Sequence, residues 1–256
     1  MRRMIVGASW KNHISSIEDG TLLAKQMAEC VGGISQVEIF FLPAFPLIPK
    51  LAEVFQGTGI GWGAQNLGFA ESGAYTGEVP AQMLREIGCT YAEIGHAERR
   101  AYFHETDEMV NRKVKIALKY GMVPVICIGE TKEDKENGYA RLRLRTQVEW
   151  ALNGLQEEEA GRVILAYEPV WAIGQQAGAD PDYVNDMHAF LRMQVNRSCG
   201  SDAAEAVRVI YGGSVTPESA GELIKYPDID GLFIGRFGLK AENFGKMVQA
   251  AQNCRK

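Results

Sequence analysis

The chain has 256 residues, a hydrophobic fraction of 46% and a formal net charge of −5. This length suits one α/β barrel and provides enough apolar surface for a large core that needs neither disulfides nor metals. Acidic and basic residues are mixed along the chain, which argues against a nucleic-acid-binding face and against a membrane-surface patch.

Short apolar runs alternate with amphipathic stretches along the chain. The apolar runs have the composition of strands that are buried on both faces of a parallel sheet. They lie at residues 4–8, 37–42, 59–64, 91–94, 123–128, 163–167, 207–211 and 231–234. A helical period is clearest at residues 107–120, 139–155 and 182–197, and Asp182 and Pro217 stand where helix starts are expected.

The alternation of eight strand-like runs with helical stretches predicts an α/β fold with a parallel sheet. Eight such units in a chain of this length fit a closed (β/α)8 barrel, which we expect to form a single domain over residues 1–256. The rival is an open doubly wound sheet, which would favour a glycine-rich dinucleotide turn after the first strand. Residues 9–12 read Ser-Trp-Lys-Asn instead, which favours the barrel.

Polar residues at the predicted carboxyl ends of the strands form the candidate site, because active sites of (β/α)8 barrels lie there. In chain order these residues are Lys11, His96, Glu98 and Glu168. Glycine-rich turns follow the last two strands, and they read Gly-Gly-Ser at 212–214 and Gly-Arg at 235–236. We expect all of these residues to meet at one mouth of the barrel.

Glu168 precedes Pro169, which removes a backbone donor and stiffens the chain entering the next loop. A carboxylate at this rim is a candidate general base. The alternative is a structural glutamate that caps a helix or pairs with an arginine. The following loop, residues 170–174, is apolar, contains Trp171 and ends in glycine. This composition is typical of a lid that closes over a ligand, and equally of a packing loop or a subunit contact.

His96 stands beside a predicted helix start, where the positive end of the helix dipole disfavours an imidazolium. A neutral ring there is a candidate proton donor or shuttle, and a buried structural histidine is the alternative. Lys11 offers a positive charge to an enediolate or a phosphate, unless it is a solvated surface lysine. The glycine turns after the last two strands offer backbone N–H groups to a phosphate, or are simply tight turns.

The five cysteines are far apart in sequence and form no Cys-x-x-Cys pair, so the sequence predicts neither a zinc site nor a disulfide framework. No histidine has a partner at metal-binding spacing, and we therefore expect no metal. The start of the sequence lacks the long apolar segment of a signal peptide, and free thiols suit a reducing cytosol. We expect a cytoplasmic protein without a membrane or nucleic-acid partner.

Six motifs resemble those of the triosephosphate isomerase family, and they cover nearly the whole chain. They are Trp-Lys at 10–11, Glu-Ile-Gly-His-Ala-Glu-Arg-Arg at 93–100, Cys-Ile-Gly-Glu at 127–130, Tyr-Glu-Pro-Val-Trp-Ala-Ile-Gly at 167–174, Tyr-Gly-Gly-Ser-Val at 211–215 and Asp-Gly at 230–231. The run at 167–174 is long enough to be highly specific. The resemblance implies a (β/α)8 barrel that isomerises a sugar phosphate through an enediolate, with no cofactor and no metal.

The resemblance also implies roles for individual residues. The catalytic residues would be Lys11, His96 and Glu168, with Glu168 as the base. The supporting residues would be Glu98, Cys127 and Thr76. The positions that would contact the substrate are Ser9, Lys11, Gly174, Ser214, Gly235 and Arg236.

A homodimer is a further implication of the resemblance. Residues 65–78, which begin at Gln65 and end at Glu78, form a long glycine-rich loop. This loop would dock into the partner's active-site mouth and bring Thr76 near the catalytic lysine there. Dimerisation would then complete the site as well as add stability.

Four positions depart from the family pattern. Ser9 stands where the family has Asn, Ala97 where it has Ser, and the lid ends in Gln-Gln-Ala at 175–177 where the family has Thr-Gly-Lys. The eighth strand is followed by Gly235 and Arg236, where the family has Gly-Gly. Ser9 makes room near the substrate, and Arg236 adds a cation that grips the phosphate, grips an extra hydroxyl of the substrate or points to solvent. Because the base, the acid and the lysine are retained, we expect the proton chemistry to be retained.

These departures leave three functions open. The first is the isomerisation of D-glyceraldehyde 3-phosphate to dihydroxyacetone phosphate. The second uses the same residues to convert L-erythrulose 1-phosphate to D-erythrulose 4-phosphate, as in a divergent branch that the pattern also resembles. The third, from a different class, is a catalytically silent phosphate-binding barrel.

Overall fold

The computed structural model describes residues 2–175 and 177–254 of the chain. Its centre is a closed barrel of eight parallel strands that pair in chain order. The strands are β1 (Ile5–Ser9), β2 (Glu38–Leu42), β3 (Gly61–Ala64), β4 (Tyr91–Ile94), β5 (Val123–Ile128), β6 (Ile164–Tyr167), β7 (Arg208–Tyr211) and β8 (Gly231–Ile234). Strand β8 pairs with β1 and closes the barrel. The predicted (β/α)8 architecture is therefore confirmed.

Helices surround the barrel and connect its strands. They are α1 (Ile17–Val31), α2 (Ile48–Phe55), α3 (Ala81–Glu86), α4 (Ala97–Tyr102), α5 (Asp107–Lys119), α6 (Lys132–Glu136), α7 (Ala140–Leu152), α8 (Glu157–Gly161), α9 (Pro181–Cys199), α10 (Ser201–Ala206), α11 (Pro217–Leu223) and α12 (Ala241–Cys254). Within the described ranges, no helix has the length and apolar character needed to cross a membrane.

Side-chain caps decide where the predicted helices begin. Helix α9 begins one residue before Asp182, because the Asp180 side chain accepts the Tyr183 backbone N–H and caps the helix. Helix α11 begins at Pro217 as predicted, and the Thr216 side chain caps it. The helix predicted to end at residue 155 ends at Leu152, because the backbone at the next residue leaves helical geometry.

The barrel interior consists of two layers, because strand side chains alternate between the interior and the surrounding helices. An apolar layer is formed by Ile5, Phe40, Leu42, Tyr91, Val125, Cys127, Ile164, Ala166, Ile210 and Phe233. Two residues beyond Tyr91 on the same inward face stands Glu93, and Glu168 stands two residues beyond Ala166. A polar layer therefore lies above the apolar one, at the carboxyl ends of the strands.

Gly7 makes room for the aromatic ring that fills the barrel centre. A Cβ atom at Gly7 would lie 2.1 Å from Phe40 Cζ, so the close approach of this ring requires glycine. The Phe40 ring stacks on Tyr91 with 4.4 Å between ring centroids and on Phe233 with 6.0 Å. These packed rings form a dense apolar support for the polar layer.

Candidate active site

Glu168 lies directly after β6, and neighbouring backbone fixes its position. Its backbone N–H donates to the Ile128 carbonyl oxygen at 2.8 Å. Its side chain packs against Gly212, where a Cβ atom would lie 2.5 Å from Glu168 Cγ. Glu168 is 5% exposed, and its buried Oε2 atom has no hydrogen-bond partner among the described residues. The carboxylate is therefore held in place with one oxygen available to a ligand.

His96 caps the short helix α4 and faces Glu168. Its Nδ1 atom accepts the backbone N–H of Glu98 at 3.1 Å. A ring nitrogen that accepts an N–H carries no proton, so the neutral ring carries its proton on Nε2. That Nε2 atom lies 3.6 Å from Glu168 Oε2 and has no hydrogen-bond partner within the described ranges. A proton donor and a carboxylate oxygen thus face each other.

Lys11 follows β1 with a positive φ of 46°, a backbone conformation that few non-glycine residues adopt. Its Nζ atom lies 2.7 Å from Glu98 Oε1. Burial by itself lowers the pKa of the Lys11 ammonium, but the hydrogen bond to Glu98 and the charges of Glu168 and Glu93 raise this pKa above its ordinary value. Gln65 supports the loop, because its amide nitrogen donates to the Lys11 carbonyl oxygen at 2.8 Å. The lysine is therefore a cation held at the mouth.

Ser9, Glu93 and Cys127 form a buried group that we call the polar floor. Ser9 Oγ lies 2.8 Å from Glu93 Oε2, and Cys127 Sγ lies 3.9 Å from Glu93 Oε1. Burial raises the pKa of the Glu93 carboxyl to about 7, and the nearby Glu168 charge adds to this effect, although His96, Ser9 and Lys11 oppose it. Burial, together with the charges of Glu168 and Glu93, also raises the pKa of the Cys127 thiol.

The sequence motifs predict no role for Glu93, although it is the first residue of the motif at 93–100. The sequence feature that could have identified Glu93 is a carboxylate within the otherwise apolar run 91–94. A charged residue that is only 2% exposed requires a partner or a shifted pKa, but its burial becomes visible only in the closed barrel.

A cavity of about 230 Å³ opens between the strand ends beside Glu168. Its lining includes the predicted substrate positions Ser9, Lys11, Gly174, Ser214, Gly235 and Arg236, together with Glu98. A Cβ atom at Gly235 would meet no other atom within 4 Å, so the backbone there borders open space. The structure thus brings these predicted positions around one cavity.

Arg236 lines this cavity, whereas Ala97 lies at another one. Arg236 is exposed, and its guanidinium lies 5.5 Å from the centroid of the Phe237 ring. Ala97 lines a second cavity of about 320 Å³, which Cys127 and Glu168 also border. Gln176, at the predicted lid end, lies outside the described residues.

The apolar loop 170–174 is attached to the barrel by a group that we call the loop anchor: Glu130, Tyr167, Trp171 and Tyr183. The fully buried Glu130 accepts hydrogen bonds from the Trp171 indole at 2.8 Å, from the Tyr183 hydroxyl at 3.0 Å and from the Tyr167 hydroxyl at 3.1 Å. Lys135 Nζ lies 3.5 Å from the centroid of the Trp171 ring. These contacts hold the start of the loop down on β6.

The end of the loop is held by the last residue of β7 and by a serine that follows this strand. Ser214 Oγ lies 3.0 Å from the Ala172 carbonyl oxygen and 2.8 Å from the Gln175 carbonyl oxygen. The Tyr211 hydroxyl accepts the backbone N–H of Ala179 at 2.8 Å. Both ends of the loop are therefore attached to the barrel, and its residues Ile173 and Gly174 line the cavity beside Glu168, which is the position expected of a lid.

Thr76 does not join the cavity within this chain. It is exposed on the loop 65–78, as is the neighbouring Tyr75, which packs edge-on against Phe69 with 5.0 Å between ring centroids. The base of the loop is closed by a backbone hydrogen bond from Gly68 to Val79.

Within residues 2–175 and 177–254, no group of three or more His, Cys, Asp or Glu side chains has the arrangement of a metal site. The five cysteines are all free thiols.

Comparisons with known proteins agree with this geometry. Residues 4–251 match the family described as Triosephosphate isomerase. Curated triosephosphate isomerases from Carboxydothermus hydrogenoformans and Caldanaerobacter subterraneus subsp. tengcongensis are 39% and 42% identical, and these matches cover 98% and 97% of this chain and 100% and 99% of the relatives.

A solved structure gives the same result in three dimensions. The crystal structure of triosephosphate isomerase from Bartonella henselae superimposes with a TM-score of 0.86 at 31% identity, over 98% of this chain and 100% of that one. A match of this length, at these identities and with this fold, shows that the chain belongs to the triosephosphate isomerase family.

Proposed function

We propose that this isomerase interconverts D-glyceraldehyde 3-phosphate and dihydroxyacetone phosphate through an enediolate, with no cofactor and no metal. The observation that carries the proposal is the pair of atoms Glu168 Oε2 and His96 Nε2, which lie 3.6 Å apart and have no hydrogen-bond partner among the described residues. Family membership and relatives named triosephosphate isomerase support the substrate class.

Glu168 is the proposed base and removes a proton from the carbon beside the substrate carbonyl. Neutral His96 donates from Nε2 to the carbonyl oxygen and moves a proton between the two oxygens of the enediolate. The Lys11 ammonium stabilises the negative charge that develops on these oxygens. Glu98 orients Lys11 through the 2.7 Å contact, and Cys127 packs beside the base.

The substrate phosphate is proposed to lie against the glycine-rich turns after β7 and β8. Gly174, Ser214 and Gly235 border the cavity there, and Arg236 adds a cation at its rim. Closing the loop 170–174 removes water from the reacting atoms. It also restrains the enediolate, which in open solution would expel the neighbouring phosphate.

The assembly and the compartment are further parts of the proposal. We propose a homodimer in which the loop 65–78 docks into the partner's mouth, because the exposed Thr76 and Tyr75 lie on that loop. Residues 1–256 would act as one catalytic domain. Free thiols at all five cysteines support a reducing cytoplasmic location.

Neither alternative function is favoured. Relatives that match this chain over 97–98% of its length are named triosephosphate isomerase, which favours the three-carbon substrate over a tetrulose phosphate. A side-by-side rate comparison on glyceraldehyde 3-phosphate and L-erythrulose 1-phosphate tests this choice directly. A silent phosphate-binding barrel would catalyse no exchange of substrate hydrogen with deuterium oxide, whereas this chain is expected to catalyse it.

The substitution Glu168→Asp tests the assigned base. It retracts the carboxylate by one methylene group, and we expect kcat to fall by about 10²-fold while KM changes little, because the lost interaction belongs to the transition state. The matched control is Glu53→Asp, at an exposed glutamate that pairs with Lys50. Unchanged turnover in Glu168→Asp would remove Glu168 from the mechanism.

A further inference from the structure

The polar floor contains a carboxyl group that the mechanism above does not use. Glu93 lies on β4 and faces the barrel interior, directly above the apolar layer. It reaches across to Ser9 on β1, although β1 and β4 are not neighbours in the barrel. This contact crosses the barrel and therefore contributes nothing to strand pairing.

Groups from four strands face the Glu93 carboxyl. Ser9 and Lys11 approach it from β1, Cys127 from β5, His96 from the end of β4 and Glu168 from the end of β6. Burial is the largest influence on its protonation and raises the pKa of the Glu93 carboxyl, as does the Glu168 charge, whereas His96, Ser9 and Lys11 lower this pKa. The pKa of about 7 gives Glu93 a proton for much of the near-neutral pH range.

The contact between Ser9 and Glu93 can be made in two ways. Ser9 has one hydroxyl proton, and its Oγ atom lies 2.8 Å from Glu93 Oε2. When Glu93 is ionised, that proton must point at the carboxylate, and Ser9 offers only lone pairs to the cavity. When Glu93 is protonated, its own O–H donates to Ser9 Oγ, and the serine proton is free to point into the cavity.

We propose that Glu93 is a positioning residue that acts through Ser9: in its protonated form it turns the Ser9 hydroxyl into a hydrogen-bond donor to the substrate oxygen on the polar floor. The inference rests on the proposed function, because it assigns a charge-bearing substrate oxygen to the cavity that Ser9 lines with Lys11 and Glu168.

The protonated arrangement stabilises the enediolate without moving a proton from either residue. The Glu93 O–H donates to Ser9 Oγ, and the Ser9 O–H donates in turn to the oxygen on which negative charge develops. The ionised arrangement has the opposite effect, because Ser9 then presents lone pairs to that oxygen.

The test compares the wild type with Glu93→Gln over a range of pH. Glutamine retains the shape of the side chain and always has N–H groups to donate to Ser9. The kcat/KM of the free enzyme is the quantity to compare, and the ratio of the two values cancels the titration of the substrate phosphate and of groups common to both proteins.

We expect the ratio to be constant below about pH 6, where Glu93 is protonated. Above about pH 7, the kcat/KM of the wild type should decrease relative to that of Glu93→Gln by about tenfold per pH unit. The decrease should level off at about 10²-fold, which is the cost of losing one hydrogen-bond donor to the oxyanion. In a Ser9→Ala background, the same Glu93→Gln substitution should produce a ratio that no longer depends on pH.

Two kinetic outcomes would overturn the proposal. A ratio that is constant at every pH would mean that Glu93 only holds the floor together. A ratio that still depends on pH after Ser9→Ala would mean that the Glu93 charge acts directly and not through the serine.

An infrared titration keeps this test separate from the proposed function. A protonated-carboxyl band that disappears in Glu93→Gln and titrates near pH 7 supports the inference, whether or not triose phosphate is turned over. Absence of that band at pH 6 overturns it. A wild type that binds but does not isomerise triose phosphate would instead contradict the proposed function.

Discussion

The polar floor and the loop anchor each contain one buried glutamate, but the two carboxyl groups have different surroundings. Glu130 in the loop anchor accepts hydrogen bonds from three side chains, whereas Glu93 in the polar floor has one hydroxyl and a distant thiol. Burial raises the pKa values of Tyr167 and Tyr183 in the loop anchor, so both phenols remain donors.

The difference shows how the number of donors determines what a buried carboxyl group can do. Three donors replace much of the hydration that Glu130 loses, so this residue can serve as a fixed attachment point for the loop. One donor replaces only part of the hydration that Glu93 loses, so burial raises the pKa of its carboxyl to about 7. Glu93 therefore gains or loses its proton near neutral pH. Glu130 therefore suits the attachment of the loop, and Glu93 suits a role that depends on pH.

Removing the acceptor of the loop anchor is expected to have the largest effect on stability. Glu130→Ala leaves the Trp171, Tyr167 and Tyr183 donors without their common partner in a buried site. We expect the free energy of unfolding to fall by about 4 kcal/mol, measured by urea denaturation, and kcat to fall because the loop is no longer attached. Glu133→Gln, at an exposed position three residues away, is the control. A loss below about 1 kcal/mol would show that water replaces the anchor.

The polar floor should reveal itself through the pH dependence of stability. The pKa of Glu93 is raised from 4.5 to about 7 on folding, so between these values the folded protein binds more protons than the unfolded chain. As pH rises through this window, the wild type should therefore lose about 3 kcal/mol of unfolding free energy relative to Glu93→Gln. Urea denaturation of both proteins at several pH values measures the difference. A constant difference would mean that Glu93 has the same pKa in both states.

The smallest expected effect concerns the cation above the loop anchor. Lys135 Nζ lies over the Trp171 ring at 3.5 Å, but the lysine is exposed. Lys135→Ala should cost about 0.5 kcal/mol of stability, since cation–π contacts at exposed sites are weak. Lys132→Ala, which removes an exposed lysine paired with Glu136, is the matched control. Equal effects of the two substitutions would show that the contact of Lys135 with the Trp171 ring adds no stability.

The sequence predicted the barrel because its strands are buried on both faces and read as continuous apolar runs. Strand β4 was predicted over the residues it occupies, and Glu168 was placed at a strand end. Helix limits were less predictable, because α9 begins where the Asp180 side chain happens to cap it.

The polar floor was beyond sequence reasoning for a physical reason. Ser9 and Glu93 are 84 residues apart, and only barrel closure brings them to hydrogen-bond distance. The loop anchor has the same origin, since Glu130 and Tyr183 are separated by 53 residues. The role assigned to Thr76 is a different case, because it depends on a second copy of the chain.

Two glycines determine which side of the active site can accept change. A Cβ atom at Gly212 would strike the Glu168 side chain, and one at Gly129 would lie 1.9 Å from the Glu168 carbonyl oxygen. New side chains cannot be introduced on either flank of the base without displacing it. Ser9 and Arg236 line the same cavity as Glu168 but do not border these two glycines. We therefore expect changes in substrate choice to arise at such lining positions, while the base and its proton chemistry stay in place.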